Sequence, residues 1–354
     1  MDGQHDPNRP ATSFGRGFTD HMVVATYTAA SGWGPPRLEP FAELSLSPAA
    51  MVLHYGQAIF EGLKAFRQAD GSVALFRPGA NAERFDRSAR RLAMPPLPPG
   101  VLTAACADLV RADLPAVPPE RGHSLYLRPM MIATEAALGV RPADEYLFAV
   151  FASPAAAYFG DEVRPVTVWA GGSQVRAAPG GTGAAKCSGN YGASHAAKAE
   201  AVARGCDEVL WLDAAEHRWV EELGGMNIVF VADVDGRPTL VTPPLTDTIL
   251  DGVTRRSLLE LGPGLGLGVE VRPVALEEVL AGRFTEAFAC GTAAAVVPVG
   301  AVRTPGGTTP IGGDRTTVAD RVREALLDVQ HGVVPDVHGW LESVAREDAA
   351  PVRC

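Results

Sequence analysis

Apolar and polar positions follow two different periods along this chain, and segments of the two kinds alternate along its length. Short apolar runs at Val73–Phe76 and Glu208–Leu212 are typical of buried strands. Segments 82–92 and 192–204 instead space apolar or alanine residues as a helix does, and the second stops at Gly205, a good helix terminator. This alternation predicts a mixed α/β fold.

Other apolar runs predict further strands at 125–132, 146–152 and 227–231. The last of these follows 208–212 after a polar stretch, which predicts that the two runs pair as a hairpin. No internal repeat is visible in the sequence, so the strands and helices belong to ordinary globular units.

A chain of 354 residues exceeds the size at which a single hydrophobic core stops growing, so two domains are expected. The segment 171–183 is rich in glycine and has the composition of a mobile linker. We therefore expect a first domain at 1–170, an interdomain linker at 171–183 and a second domain at 184–354.

Composition and charge exclude several classes of protein. The net charge of −10 is spread along the sequence and leaves no basic stripe for nucleic acid. The most apolar run, 146–159, is too short to span a bilayer, and the polar residues 1–13 lack the apolar core of a signal peptide. The 5 cysteines show neither CxxC nor zinc-ligand spacing, which indicates a reducing compartment. We expect a cytoplasmic protein without a metal, membrane or nucleic-acid partner.

Candidate chemistry centres on three lysines, Lys64, Lys186 and Lys198. Lys198 lies within a helical stretch, where a solvated surface position is expected, and Lys64 fits either the edge of a core or the surface. Lys186 directly follows the glycine-rich segment, and a deeply placed amine at a domain junction has the lowered pKa of a nucleophile. On composition alone, an ordinary surface loop lysine remains the simpler interpretation of Lys186.

Six motifs around this lysine change that interpretation. In chain order they are HYGQAIFEG at 54–62, FRP at 76–78, KCSGNY at 186–191, ELGGMN at 222–227, LDGVTR at 250–255 and GTA at 291–293. Together they resemble the branched-chain amino acid aminotransferases, and the resemblance runs from about Phe14 to Trp340. It implies a two-domain α/β enzyme of fold-type IV, like D-amino acid aminotransferase, with a smaller N-terminal and a larger C-terminal domain. It also implies pyridoxal 5'-phosphate (PLP) as cofactor and a homodimer with active sites near its interface.

The resemblance assigns a cofactor site position by position. Lys186 matches the Schiff-base lysine that also moves the catalytic proton, Tyr191 the partner of the cofactor's phenolic oxygen, and Glu222 the carboxylate that faces the pyridine nitrogen. Glu221 is the alternative to Glu222, although strand alternation would turn it to the opposite face. The implied phosphate-binding residues are Arg84, Val253, Thr254 and Thr292.

The same resemblance implies transamination of leucine, isoleucine and valine with 2-oxoglutarate, and hence a pocket with an apolar wall and one cation. Arg128 matches the arginine that meets the distal carboxylate of glutamate, and Ala293 belongs to the site of the substrate carboxylate. Leu138 and Val140 match a loop that reaches the neighbouring subunit's pocket. The implied aromatic wall consists of Phe14, Tyr55, Phe60, Tyr126 and Tyr158.

The chain also departs from the family pattern. The sequence after the GTA motif lacks the CxxC of the animal enzymes, so regulation by that thiol switch is not expected. The residues Gln174, Cys187, Ser188 and His195 are unusual, and they leave substrate preference open. The alternatives are an aminotransferase specialised for an unusual aliphatic or β-methylated amino acid, a D-amino acid transaminase and a fold-type IV lyase acting on an aminated chorismate. Tyr126 and Arg128 speak against the last two.

Overall fold

The computed structural model describes residues 15–156, 164–312 and 317–345. Contacts divide the chain into two compact units, the first Met1–Tyr158 with Leu327–Cys354 and the second Phe159–Leu326. Each unit has its own sheet, so the expected mixed α/β class is confirmed. None of the described helices is long and apolar enough to cross a membrane.

The first unit is built on an antiparallel sheet. Its described strands are β1 (His21–Thr28), β2 (Gly32–Trp33), β3 (Arg37–Pro40), β4 (Ala58–Phe60), β5 (Leu63–Arg67), β6 (Val73–Phe76), β7 (Ser124–Ala133), β8 (Glu145–Ala155) and β18 (Leu341–Ala345). Its described helices are α1 (Val52–Tyr55), α2 (Pro78–Arg91) and α3 (Val101–Ala112). The sheet order is β18-β6-β5-β7-β8-β1-β2, with β3 beside β1 and β4 beside β7.

The two faces of the central strand β7 carry different kinds of side chain. Side chains alternate along a strand, so Leu125 and Leu127 share one face while Tyr126 and Arg128 share the other. The two leucines are fully buried, whereas Arg128 is only partly covered. On β5, Lys64 lies opposite Tyr126 in the register. One face of β7 therefore carries polar and aromatic groups away from the leucine-lined core.

The second unit also carries nine strands, and six of them close into a ring. Its strands are β9 (Val166–Trp169), β10 (Glu208–Leu212), β11 (Val220–Leu223), β12 (Met226–Val234), β13 (Arg237–Thr242), β14 (Gly268–Val271), β15 (Glu286–Gly291), β16 (Ala295–Thr304) and β17 (Gly307–Pro310). Its helices are α4 (Ser188–Ala203), α5 (Val253–Leu261), α6 (Leu276–Leu280) and most of α7 (Thr317–Gln330). The order β11-β10-β9-β16-β15-β12 becomes a ring because β11 also pairs with β12, which leaves these strands without a free edge.

Two predictions from the sequence were wrong. The runs 208–212 and 227–231 do not form a hairpin with each other, because β11 lies between them and pairs with both β10 and β12. The expected boundary at residue 170 is also wrong, because β9 pairs with β10 and β16 and so belongs to the second sheet. The glycine-rich segment 171–183 thus lies within the second unit. The C-terminal strand β18 in turn pairs with β6 of the first sheet.

Candidate active site

The amine of Lys186 meets a phenol at the start of α4. Cys187 is the N-cap of this helix, Tyr191 lies in its first turn, and the Lys186 Nζ is 3.0 Å from the Tyr191 hydroxyl oxygen. The buried amide of Asn190 donates to the carbonyl oxygens of Thr182 and Ala185, each at 2.8 Å. Asn190 therefore fixes the backbone that carries the lysine.

The register of three strands places Glu222 in a row of buried side chains. Glu222 on β11 pairs with Asn227 on β12, which pairs with Cys290 on β15, and residues directly opposite share a face. The Glu222 Oε1 accepts hydrogen bonds from the backbone N–H of Leu250 at 2.8 Å and from Asn227 Nδ2 at 3.3 Å. The same Asn227 nitrogen donates to the Leu250 carbonyl at 2.9 Å. The carboxylate is thus tied to the loop that precedes α5.

Arg176 is the second partner of this carboxylate. Its Nε lies 2.8 Å from the Glu222 Oε2, although this buried N–H makes no hydrogen bond. The contact is therefore an ion pair rather than a directed hydrogen bond. Within the described chain no hydrogen bond reaches Oε2, so this oxygen can still accept one from a bound group.

Burial and the Arg176 cation have opposite effects on the pKa of Glu222. Burial raises the pKa of Glu222 to about 7, while Arg176, the Leu250 N–H and Lys186 lower it. An additional N–H donor at Oε2 would favour the ionised form further. The carboxylate therefore suits a partner that carries a proton on a ring nitrogen.

Glu221 is buried beside Glu222 but has different partners, as strand alternation requires. Its Oε1 accepts a hydrogen bond of 2.5 Å from the Thr248 hydroxyl, while its Oε2 is buried without a hydrogen bond among the described residues. Burial raises the pKa of this carboxyl, and the nearby Asp213 and Asp247 act in the same direction. Glu221 is therefore the weaker candidate for a charged role.

The N-terminus of α5 joins the same site. Val253 and Thr254 are its first two residues, both are buried, and no side chain caps their backbone N–H groups. The preceding Gly252 packs against Asn227, since a Cβ there would lie 1.9 Å from the Asn227 Oδ1. Unsatisfied N–H groups at a helix start attract anions such as phosphate.

The turn that contains Thr292 and Ala293 connects β15 to β16. It follows Cys290 directly, and Cys290 is the register partner of Asn227, so the turn lies at the end of the sheet that carries Glu222. The second unit thus brings together Lys186 with its phenol, the Glu222 carboxylate and the start of α5. In the described parts of the chain, no group of three or more His, Cys, Asp or Glu side chains could hold a metal ion.

The first unit contains Arg84, which lies on α2 in a buried ion pair. Its Nε and Nη2 donate to Glu61 Oε1 and Oε2 at 2.7 and 2.8 Å, and the two side chains are 4% and 0% exposed. Asn81 and the Gly62 N–H also donate to this carboxylate. A fork-to-fork pair with further donors holds the arginine in one orientation.

Arg128 is placed against aromatic rings in the first unit. Its guanidinium lies 4.8 Å from the Phe60 ring centroid and 5.4 Å from that of Tyr126, and its Nη2 is 3.2 Å from the Tyr126 hydroxyl. Gly62 makes room for that hydroxyl, since a Cβ there would lie 1.9 Å from it. Arg128 has no carboxylate partner within the described residues.

The remaining predicted residues of this unit lie on its surface or outside the described residues. Tyr55, Leu138 and Val140 are 37%, 75% and 90% exposed. Phe14 and Tyr158 lie outside the residues that the structure describes, so their predicted places in the aromatic wall are untested.

Comparison with known proteins identifies the family of this chain. A family model described as "Amino-transferase class IV" matches residues 58–302, a range that contains the lysine, the carboxylate and the helix start. The chain belongs to the class IV amino-transferase family. It is 54% identical to a probable branched-chain-amino-acid aminotransferase of Streptomyces coelicolor over 338 residues, which cover 94% of this chain and 92% of the relative.

Solved structures agree with this membership. A branched-chain amino acid aminotransferase from T.th., solved with pyridoxamine 5'-phosphate, has a TM-score of 0.75 at 32% identity, covering 92% of this chain and 99% of that one. The same enzyme complexed with N-(5'-phosphopyridoxyl)-L-glutamate has a TM-score of 0.73 at 31% identity, with 92% and 99% covered. The fold-type IV architecture expected from the sequence is thereby confirmed, and this chain is an aminotransferase.

Sequence reasoning missed three residues that this class IV site uses. Asn190 and Asn227 lie inside the KCSGNY and ELGGMN motifs, but the sequence did not indicate which groups they contact. Arg176 lies outside every motif, and its one visible signal was a charged residue within a glycine-rich segment. Asn227 and Arg176 act through contacts with distant parts of the chain that the local pattern does not encode, whereas Asn190 bonds the nearby residues Thr182 and Ala185.

Proposed function

We propose that this chain catalyses PLP-dependent transamination between leucine, isoleucine or valine and 2-oxoglutarate, as a cytoplasmic homodimer. The observation that carries the proposal is the Lys186 amine 3.0 Å from the Tyr191 phenol, within the electrostatic reach of the buried Glu222 carboxylate. A nucleophilic amine, a phenol and a buried carboxylate are the groups that PLP chemistry needs from a protein.

Each part of the site has a distinct task toward the cofactor. Lys186 would hold the cofactor through its aldehyde carbon, Tyr191 would hydrogen-bond its phenolic oxygen, and the Glu222 Oε2 would accept the N–H of its ring. PLP supplies an electron sink for the charge that develops at the substrate Cα. The residues proposed for the phosphate are Arg84, Val253, Thr254 and Thr292.

Lys186 would also move the proton. With the cofactor bound and its amine free, Lys186 would be the base that takes the proton from the substrate Cα and the acid that delivers it to C4'. The Tyr191 hydroxyl holds the amine in place, and Asn190 fixes the backbone beneath it. A base held within hydrogen-bond reach of its target is the geometric requirement for such a transfer.

Recognition of both glutamate and leucine rests on Arg128 and its rings. Phe60 and Tyr126 offer apolar surface to an aliphatic side chain, while the guanidinium is available to a distal carboxylate. A solved relative from T.th. is complexed with N-(5'-phosphopyridoxyl)-L-glutamate, which supports glutamate as a substrate of this chain. Ala293 is proposed for the substrate's own carboxylate.

An exposed apolar surface supports the homodimer. Helix α1 and the segment 136–140 are joined by the bridge between Ala50 and Ala136. They expose Leu53, Tyr55, Leu138 and Val140 at 60%, 37%, 75% and 90%. Adjoining exposed apolar side chains of this kind mark protein–protein interfaces, and we assign this one to a second copy of the chain.

Cysteine usage supports the cytoplasm. The four described cysteines, Cys106, Cys187, Cys206 and Cys290, are buried and form no disulfide. Burial raises the pKa of the Cys290 thiol to about 12, which keeps it unreactive. Free thiols of this kind are typical of a reducing compartment.

Borohydride reduction tests the cofactor assignment, because it fixes PLP to the lysine that binds it. Peptide mapping should locate the pyridoxyl group on Lys186, and Lys198→Arg, which alters a surface lysine, should leave the labelling unchanged. An adduct on Lys64 or Lys198 would contradict the proposal.

Single-turnover reactions with leucine, isoleucine, valine and glutamate test the substrate assignment. All four should convert the cofactor to its amino form. Conversion by glutamate without any of the three branched-chain amino acids would favour the specialised aminotransferase instead.

A further inference from the structure

Arg176 is a buried cation held between the backbone and Glu222. Its side chain is 8% exposed and its Nη2 donates to the carbonyl oxygens of Gly183, at 3.1 Å, and Thr248. Its Nε lies 2.8 Å from the Glu222 Oε2. Because two carbonyls fix the guanidinium, the carboxylate meets a positive charge whose position the backbone sets.

Glu222 needs such a charge. The residue is 2% exposed, and an ionised carboxylate in an apolar environment takes up a proton unless a cation or hydrogen bonds compensate it. Arg176 is the largest of the influences that oppose burial at Glu222, ahead of the Leu250 N–H and Lys186. A carboxyl that has taken up a proton of its own cannot stabilise a protonated ring nitrogen.

We propose that Arg176 is a positioning residue that orients the Glu222 carboxylate and keeps it ionised toward the ring nitrogen of bound PLP. The inference rests on the proposed function, since that ring nitrogen is the group Glu222 serves. Among the described residues, Arg176 makes its ion pair and hydrogen bonds with Glu222 and two carbonyls, while its charge acts on Glu221 without direct contact.

A simpler role must be distinguished from this one. Arg176 also links the glycine-rich segment to the 248–250 loop, and that link alone would stabilise the fold. The two roles differ in their dependence on residue 222. A structural link costs the same whatever residue 222 is, whereas charge compensation matters only while residue 222 can ionise.

Double-mutant cycles separate the two roles. Arg176→Met should weaken PLP binding to the apo-protein about tenfold, the equivalent of about one pKa unit. In a Glu222→Gln background the same change should cost less than about threefold, because the amide carries no charge to compensate. Glu221→Gln is the matched control, since Glu221 is adjacent and buried, and there the full loss should persist. Arg176→Lys should recover part of the affinity.

Two further readouts do not depend on turnover. The ¹⁵N resonance of ring-labelled PLP should move toward that of the unprotonated nitrogen in Arg176→Met and stay unchanged in Glu221→Gln. The urea midpoint of the apo-protein at pH 8 should show stronger coupling between positions 176 and 222, which are in contact, than between 176 and 221, which are not.

The outcomes separate this inference from the proposed function. Equal losses from Arg176→Met in all three backgrounds, with an unmoved ¹⁵N resonance, would overturn the inference and leave Arg176 as a structural link. Failure of the wild type to bind PLP would overturn the proposed function. The apo-protein cycle would then decide the rest, because coupling between 176 and 222 supports control of the carboxylate's charge and its absence refutes it.

Discussion

Arg128→Leu separates the two substrates that one pocket is proposed to accept. The guanidinium stacks on Phe60 and Tyr126, donates to one hydroxyl and has no carboxylate partner among the described residues. A charge-assisted hydrogen bond from it to the distal carboxylate of glutamate should contribute about 2 kcal/mol. Its loss should lower kcat/KM for the glutamate half-reaction roughly 30-fold.

Leucine should respond differently to the same substitution. Its side chain forms no ion pair, and the new leucine keeps apolar surface beside Phe60, so kcat/KM for leucine should change less than about threefold. Single-turnover rates with each amino acid give the two values separately. Arg121→Leu is the matched control, because Arg121 pairs with Asp328 in the same unit, where both side chains remain partly exposed.

Two results would refute this reasoning. Equal losses for glutamate and leucine would mean that Arg128 supports the fold of the pocket rather than one substrate. A variant with a strongly lowered melting temperature would indicate the same, since the lost cation–π contacts should cost only about 1 kcal/mol. Arg128→Lys keeps the charge without the planar fork and should fall between the wild type and Arg128→Leu.

Three other substitutions test ionisable side chains through urea unfolding. Arg84→Ala should lower the unfolding free energy by about 3 kcal/mol, because it leaves the fully buried Glu61 carboxylate without its cation, and an unchanged stability would contradict this pairing. Hydrogen bonds from four backbone N–H groups outweigh burial and lower the pKa of Asp213 to about 2. Asp213→Asn should therefore lower the unfolding free energy by roughly 1 kcal/mol at pH 7. This loss should shrink as the pH falls below 3.8, the ordinary pKa of the group. Burial raises the pKa of Glu221, so the wild type should lose unfolding free energy as the pH rises above 4.5, the ordinary pKa of the group. Glu221→Gln should therefore become more stable relative to the wild type over that range. A stability loss that is equal at every pH would show that Glu221 is ionised and paired.

The sequence predicted those parts of the site that local motifs carry. Lys186 and Tyr191 lie five positions apart around the start of one helix, so their contact follows from local geometry. Val253 and Thr254 likewise open a helix directly after a glycine turn. Short-range features of this kind are readable because the residues that make them are neighbours in the chain.

The errors arose where pairing is long-range. Strand β11 has the sequence VEEL, and strand alternation already separated its two buried glutamates. Its position between β10 and β12 depends on pairing that the sequence does not show, and missing that pairing produced the false hairpin. Strand β9 has four residues and is identified only by its parallel partners β10 and β16, so the domain boundary was placed after it instead of before it.

The same long-range pairing joins the proposed sites for the cofactor's ring nitrogen and for its phosphate in one hydrogen-bond network. The Glu222 Oε1 binds the Leu250 N–H, Asn227 binds both Glu222 and the Leu250 carbonyl, and its Oδ1 lies against Gly252 at the start of α5. A displacement of the α5 N-terminus therefore moves the donors of the carboxylate as well. Asn227 is thus the residue through which the proposed phosphate and ring-nitrogen sites are held at a fixed separation. A cofactor that binds at both ends then needs no rearrangement of the protein between them, which is the condition for preorganised electrostatic stabilisation.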